Sequence, residues 1–362
     1  MKMKVLILTG SFGMGHNSTA LSIKEEIARQ YNGAGIQILD IIDYCFPRMK
    51  GLIYGSFKLL VQKCPRIYNM SYKLTEKRSD VGIEKIVLKK IETMIYAYKP
   101  DVIISTIPFA ADSISYYKEK KKNLIPHITC ITDISIHSEW ITKNSDMYFV
   151  GSKDTKEYLC RNGISENNIF ITGIPVKNDF KENGLNYMQS HKKKKVLIMG
   201  GGFGLIPLHD NILSKLENLS NVETTVITGN NKKLYNEILL KYPSVNLVGY
   251  TNKVSEYMKD ADILISKPGG ITLFEAIQST LPILVIDPFL AQEKCNAHYI
   301  EEKNIGKVIW NKKNDSFLEI LDFICDDNLQ RTMRNQMYNI KCEINKVEMA
   351  TLIGGLCERQ AV

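Results

Sequence analysis

The chain has 362 residues, 44% of them hydrophobic and 24% charged, with 23 glycines and 11 prolines. That composition excludes a disordered chain, a collagen-like repeat and a coiled-coil rod, and at about 150 residues per domain the length predicts two separate cores. Residues 1–190 carry 26 Lys and Arg against 19 Asp and Glu, so nearly all of the net charge of +8 lies in the first half. No apolar run approaches the ~18 residues needed to cross a bilayer.

In chain order, Lys4–Thr9 is a short apolar run that feeds a glycine turn rather than a cleavage site. It reads as a buried first strand and not a signal peptide, which predicts a cytoplasmic protein. A helix is expected from about Ser18 to Tyr31 and a second strand over Ile36–Ile42. Residues 44–75 then contain no acidic residue. They hold Arg48, Lys50, Lys58, Lys63, Arg66 and Lys73 among aromatic and aliphatic neighbours. Such a mixture suits an anionic lipid surface. Nucleic acid and an ordinary solvated helix face compete for the same pattern.

Further apolar strands follow at Val102–Thr106, Ile128–Thr132, Met147–Val150 and Ile169–Thr172. Continuous apolar strands separated by helical stretches predict a parallel sheet covered on both faces. The alternation stops in the polar stretch Lys177–Lys195 and restarts at Val196–Met199. It continues through Val222–Thr228, Val245–Val248, Ile263–Ser266, Ile283–Ile286 and Val308–Ile309, and the last fifty residues read as helical. The expected architecture is α/β, with two Rossmann-like domains facing a cleft. The first would span 1–185, a linker 186–195 and the second 196–340, with 341–362 packing back on the first. The eight cysteines show no C-x-x-C pairing. They predict reduced core thiols and no metal site.

Three turns carry the chemistry. The first, Gly10 to His16, has glycines at 10, 13 and 15, which fits neither G-x-G-x-x-G nor a P-loop. Its histidine, at the end of strand one, is a candidate base for a hydroxyl or a residue that orients the loop. The second, Gly200 to Gly204, is a candidate pyrophosphate cradle or a plain βα connection. The third ends the strand at Ser266 and runs Lys267-Pro268-Gly269-Gly270-Ile271-Thr272, with a helix expected near Thr272. Gly269, Gly270 and the Thr272 hydroxyl offer donors to phosphate oxygens. Glu275 could complete a capping box or hold a ribose. After the next strand, Gln292 and Glu293 are placed to meet sugar hydroxyls.

SKPGGITLFEA (266–276) followed by DPFLAQEKCNA (287–297) resembles the donor-binding half of glycosyltransferases of the MurG and monogalactosyldiacylglycerol synthase type. GSFGMGHNSTA (10–20), TDISIHSEW (132–140) and SDMYFVGSKDTKEYLCRNGISENNIFITGIPV (145–176) are similar to the second branch, which includes processive diacylglycerol glucosyltransferases. The resemblance runs from about Val5 to Ile309. It implies a GT-B fold, a UDP-sugar donor (UDP-glucose or UDP-galactose), no metal or other cofactor, and a diacylglycerol-type acceptor at a membrane.

Carried over by residue, it makes His16, beside Gly15, the activator of the acceptor hydroxyl and puts Asp133, His137 and Trp140 on the acceptor side. It gives the diphosphate to the turn 200–204, with Gly201, Gly202, Phe203 and Gly204, and to Gly269, Gly270 and Thr272, and counts Lys267 among the donor-binding residues. Gly249 and Tyr250 take the uracil, Glu275 the ribose, and Gln292, Glu293 and Asn296 the hexose. Two departures bear on substrate: Phe12 and Met14 in the first loop, and Leu290-Ala291 before the Gln-Glu pair.

The expected enzyme is therefore an inverting hexosyltransferase, peripheral to the inner face of the cell membrane and not a nucleic-acid binder. A UDP-sugar transferase with a soluble acceptor, a nucleotide-sugar-binding protein without turnover and a UDP-sugar 2-epimerase are the alternatives.

Overall fold

The computed structural model describes residues 2–63, 81–134, 138–181, 192–202, 204–206, 210–310 and 316–358. The chain divides into two compact units, 1–178 with 344–362, and 179–343.

In the first unit the order is β1 (Lys4–Thr9), α1 (Gly15–Gln30), β2 (Gly35–Asp40), α2 (Ile41–Cys45), α3 (Lys50–Lys63) and α4 (Val81–Tyr98). Then come β3 (Val102–Ser105), α5 (Pro108–Lys121), β4 (His127–Cys130), β5 (Met147–Val150), α6 (Lys153–Arg161) and β6 (Ile169–Ile171). The strands are all parallel in the order β2-β1-β3-β4-β5-β6. β1 shows why the strands are apolar throughout. Val5 and Ile7 pack with Ala20, Ile23 and Ile27 of α1, whereas Leu6 and Leu8 pack with Ile41, Ile91 and Met94. Both faces are core, so successive side chains must all be hydrophobic.

A short helix α7 (Asn178–Lys181) lies at the division between units. The second unit runs β7 (Lys194–Met199), α8 (Asp210–Glu217), β8 (Val222–Ile227), α9 (Lys232–Lys241), β9 (Asn246–Val248) and α10 (Val254–Asp260). It continues with β10 (Ile263–Ser266), α11 (Gly270–Ser279), β11 (Ile283–Ile286), α12 (Ala291–Glu302), β12 (Gly306–Ile309), α13 (Ser316–Cys325) and α14 (Asp327–Ile344). The last helix, α15 (Met349–Glu358), belongs to the first unit. There Met349, Ala350 and Ile353 join the core with α1, and Gln30 donates to the Thr351 hydroxyl at 2.7 Å. The second sheet is β12-β11-β10-β7-β8-β9, again parallel, which is the Rossmann order.

Several boundaries differ from expectation for local reasons. β2 stops at Asp40, not Ile42, because the Asp40 carboxylate accepts from the amides of Ile42 and Asp43 and so starts α2. β7 takes in Lys194 and Lys195 of the expected linker, with their ammonium groups paired to Asp327 and Asp260. α14 runs unbroken to Ile344, and the second unit ends at Glu343 rather than at 340. Three of the expected core thiols, Cys295, Cys325 and Cys342, are instead exposed, on the outer faces of α12, α13 and α14.

Each sheet has one point where the chain reverses its direction of travel across the strands. In the first it lies between β1 and β3, in the second between β7 and β10. Open parallel sheets bind ligands outside the carboxyl ends of the strands at such points.

Candidate active site

At the switch point of the first sheet β1 ends in Thr9, and the glycine turn delivers the chain into α1. That helix begins at Gly15, three residues earlier than its apolar pattern predicts. His16 and Asn17 therefore sit in its first turn. His16 Nδ1 is 3.1 Å from the backbone oxygen of Thr106 and 2.9 Å from the hydroxyl oxygen of Thr132. Thr106 follows β3 and Thr132 follows β4, so the imidazole rests over the carboxyl ends of neighbouring strands. A carbonyl oxygen only accepts, so Nδ1 holds the proton of the neutral ring and Nε2 keeps a lone pair. Burial pulls the His16 pKa from 6.5 to about 4, against a smaller raising effect of the Thr106 bond. The positive end of α1 disfavours an imidazolium further.

The rest of the loop is held by polar contacts. Asn17 accepts from the Thr9 hydroxyl at 3.2 Å and donates to Ser11 Oγ at 3.2 Å. Ser11 Oγ donates to Asp40 at 2.9 Å, and Ser11 N donates to the Tyr54 hydroxyl at 2.9 Å. Phe12 stacks edge-on against Tyr54 and Phe57 of α3, with centroids 5.0 and 5.1 Å away.

Of the expected acceptor-side residues, Asp133 is buried just beyond β4. Trp140, placed on the acceptor side by the resemblance, is a core residue in this structure. Its side chain is 0% exposed, packed among Ile131, Tyr148, Val150 and Leu159, and its indole donates to Asp133 at 3.4 Å. A wide apolar ring in a strand-flanking turn is worth more in the core than in solvent, and its N–H finds the nearest carboxylate. His137 lies outside the described residues.

In the second sheet, Ser266 donates to the Met199 oxygen at 2.9 Å and ties the ends of β10 and β7 together. The glycine turn after β7 is compact. A Cβ on Gly200 would stand 2.3 Å from the backbone of Leu205, and one on Gly204 2.0 Å from Thr228 O. Gly204 also has φ +61°, so both positions require glycine. The Gly204 amide donates to Gly201 O at 2.9 Å, which removes it from the set of phosphate donors. Gly201 and Gly202 are half-buried in the turn, Phe203 lies outside the described residues, and the next helix is described only from Asp210.

The turn after β10 offers the better anion site. α11 begins at Gly270 rather than near Thr272, with Gly269 as its N-cap and no side-chain cap. Its first amides, Gly270 to Thr272, have no partner within the helix and point out of the strand end. Glu275 falls in the second turn, half-buried, so a capping box with Thr272 is ruled out by the earlier start. Lys267 Nζ is 2.8 Å from Glu293 Oε1 and 4.4 Å above the centre of the Phe289 ring.

Glu293 Oε2 accepts from the amides of Phe289 and Leu290 at 3.4 and 3.3 Å. Glu293, expected on the hexose, thus holds the loop before α12 in this structure. Asn296 donates to Pro268 O at 2.7 Å, and its Oδ1 is buried with no partner. Gln292 is half-buried one residue before Glu293. Gly249 and Tyr250 follow the edge strand β9, with Tyr250 exposed and its hydroxyl 3.1 Å from Asn252.

Spacing alone missed three features: the Thr106 and Thr132 partners of His16, the Tyr54–Asp40 pair and the Lys267–Glu293 ion pair. The first has a signal in the text of the sequence. VIIST and ITCIT both end in Thr at adjacent strand ends.

A family model described as monogalactosyldiacylglycerol (MGDG) synthase matches residues 16–176, and one for the glycosyltransferase family 28 C-terminal domain matches 195–347. A processive diacylglycerol beta-glucosyltransferase of Staphylococcus epidermidis is 30% identical over 357 residues, 93% of this chain and 89% of that protein. Among solved structures, MurG of Acinetobacter baumannii superposes with a TM-score of 0.63 at 14% identity, over 96% of this chain and 100% of that one. The UDP-GlcNAc 2-epimerase of Neisseria meningitidis reaches 0.61 at 17% identity, over 97% and 100%. The structural likenesses show the fold, which is GT-B, and do not choose between transfer and epimerisation. The sequence relationship is what chooses: the chain belongs to the monogalactosyldiacylglycerol synthase and processive diacylglycerol glucosyltransferase family of MurG-like GT-B glycosyltransferases.

Proposed function

We propose that the protein is an inverting glycosyltransferase that moves a hexose from a UDP-sugar to a diacylglycerol-type lipid. The observation that carries this reading is the neutral imidazole of His16 at the first switch point, its lone pair left on Nε2 by the Thr106 carbonyl. In a chain of this family, that is the group a hydroxyl acceptor needs. Nε2 takes the proton as the acceptor oxygen attacks the anomeric carbon. The bond from that carbon to UDP breaks with its electron pair, and the configuration inverts. The charge that builds on the leaving diphosphate is met by the free amides of α11 and by Lys267. The reading needs no metal for this step. The buried, unpartnered Oδ1 of Asn296 accepts from a hexose hydroxyl, since a buried acceptor left unpaired is costly. Gly249 and Tyr250 receive the uracil, and Glu275 the ribose.

The lipid acceptor is supported by the relationship to the processive diacylglycerol beta-glucosyltransferase of Staphylococcus epidermidis. It is also supported by the outward face of α3, where Leu52 is 70% exposed beside exposed Met49 and Leu59. Arg48 and Lys50 flank them. The Lys50 charge is shared with Asp43 at 2.7 Å. Among the described residues no helix is long and apolar enough to cross a membrane. A peripheral position on the inner face of the cell membrane, held by anionic lipid, follows from this reading.

The test is UDP release from UDP-glucose and UDP-galactose, each with and without diacylglycerol in anionic vesicles and with and without EDTA. Release that requires diacylglycerol, favours one sugar and survives EDTA is expected. Release without lipid would move the acceptor to soluble molecules, and free 2-epimerised sugar would replace transfer by epimerisation.

A further inference from the structure

Tyr54 connects two features that the proposed function treats separately. It lies on α3, whose outward face bears Leu52 and Leu59, and its own side chain turns inward to the glycine loop. Its hydroxyl is 2.6 and 2.7 Å from the two Asp40 oxygens and accepts from Ser11 N at 2.9 Å. Asp40 in turn accepts from Ser11 Oγ at 2.9 Å, and Ser11 Oγ accepts from Asn17, the residue after His16. The loop is thus gripped twice at Ser11, by its amide and by its hydroxyl. The Phe12 ring adds an apolar contact to the same α3 side chains.

Asp40 is itself fixed by the amides of Ile42 and Asp43, so the anchor point is rigid. Burial, and then the Asp40 bond, push the Tyr54 phenol well above its ordinary pKa, which keeps it a donor. The glycines at 10, 13 and 15 leave the loop little stiffness of its own. Something outside the loop must hold it, and the contacts that do so come from α3 and β2.

We propose that Tyr54 and Asp40 form a positioning pair that carries engagement of α3 with a lipid surface to the loop presenting His16. The inference rests on the lipid-acceptor reading above. It makes the acceptor side of the reaction dependent on α3 lying in place, so that the base is best set when the enzyme is on its substrate surface.

The experiment is amide hydrogen exchange on the full chain, wild type and Tyr54→Phe, with and without phosphatidylglycerol vesicles. It is paired with turnover, UDP affinity and vesicle sedimentation. Tyr54→Phe keeps the ring against Phe12 and removes only the hydroxyl. Exchange over residues 11–17 should quicken by about tenfold, the effect of losing one charge-linked hydrogen bond. Turnover should fall by a similar factor, with UDP affinity and sedimentation unchanged. Vesicles should protect both α3 and the loop in wild type, but α3 alone in Tyr54→Phe. If Tyr54→Phe misfolds, Asp40→Asn keeps the helix cap through Oδ1, puts an amide nitrogen where Ser11 Oγ finds its acceptor, and should loosen the loop at that bond.

Identical loop exchange in wild type and variant overturns the pair. So does vesicle protection that reaches α3 in wild type and leaves the loop unchanged. Failure of the lipid reading looks different: wild type would neither sediment with vesicles nor release UDP in response to diacylglycerol. That result also removes the lipid half of the inference, while loop exchange in solution still judges the Tyr54–Asp40 grip.

Discussion

The backbone oxygen of Thr106 lies 3.1 Å from Nδ1 of His16 and dictates which nitrogen of that ring is free. With Nδ1 bound to an obligate acceptor, proton uptake is confined to Nε2. His16→Ala should lower transfer by about 10²–10⁴-fold, the usual worth of a general base. UDP affinity should be unchanged in the same variant, measured by calorimetry. A parallel loss of UDP binding would put His16 on the donor rather than on the acceptor hydroxyl.

The low His16 pKa sets the pH profile. With the ring neutral down to about pH 4, kcat/KM for transfer should stay flat from pH 8 to about 5 and fall only below that. An acid limb centred at 6.5 would mean a solvated ring without the burial seen here. Thr132→Val, which removes the second contact to Nδ1, should cost severalfold in turnover, at about 1 kcal/mol for one hydrogen bond.

Stability should also depend on acid, through His16 and through His127. His127 is buried between Ser105 at 2.9 Å and Ser145 at 3.1 Å, and burial, with the Lys118 charge second, lowers its pKa to about 3. Both rings are neutral in the folded state where the unfolded chain already binds protons. Stability is therefore complete above pH 6.5 and is lost as pH falls toward 4, where the loss from His16 levels off and that from His127 continues to about 3. The slope should be about 1.4 kcal/mol per pH unit for each histidine. Urea midpoints at pH 7.5 and 5 measure it, and His127→Gln should roughly halve the slope.

The Lys267–Glu293 pair is nearly enclosed, with the two side chains 18% and 10% exposed. Lys267→Met strands a carboxylate that also caps α12, and should destabilise the chain by about 3 kcal/mol. Adding Glu293→Gln should restore part of that loss, because an amide oxygen can still accept from Phe289 and Leu290. Urea denaturation of the two variants decides it. A double variant no better than Lys267→Met alone would deny the pair its structural role.

Asn296 separates sugar from nucleotide recognition. Asn296→Ala removes the free buried acceptor and should raise the KM for UDP-hexose by about tenfold, one hydrogen bond to a buried group. Affinity for UDP itself should stay within about twofold, since no hexose is there to be lost. Equal losses for both ligands would place Asn296 on the nucleotide, or reduce it to a prop for Pro268.

The sequence by itself determined the parallel α/β class, because strands with both faces in the core must be apolar at every position. Lys4–Thr9, Met147–Val150, Ile263–Ser266 and Ile283–Ile286 stand where that rule puts them. It also marked the turns at 10–16 and 267–272, since glycine and a helix start leave a local trace. The helix starts themselves came out late, at Ser18 and Thr272 rather than Gly15 and Gly270. Neither start has a side-chain cap to announce it.

What joins distant parts of the chain left no such trace. Tyr54 meeting Ser11, Thr106 meeting His16 and Glu293 turning to Lys267 span 43, 90 and 26 residues. Trp140, given an acceptor-side role only through the resemblance, is core, because burial depends on what the fold brings around it. Periodicity records the face a residue turns to its own element's neighbours. Which hydroxyl, carbonyl or carboxylate waits there is decided only when the sheets order their strands.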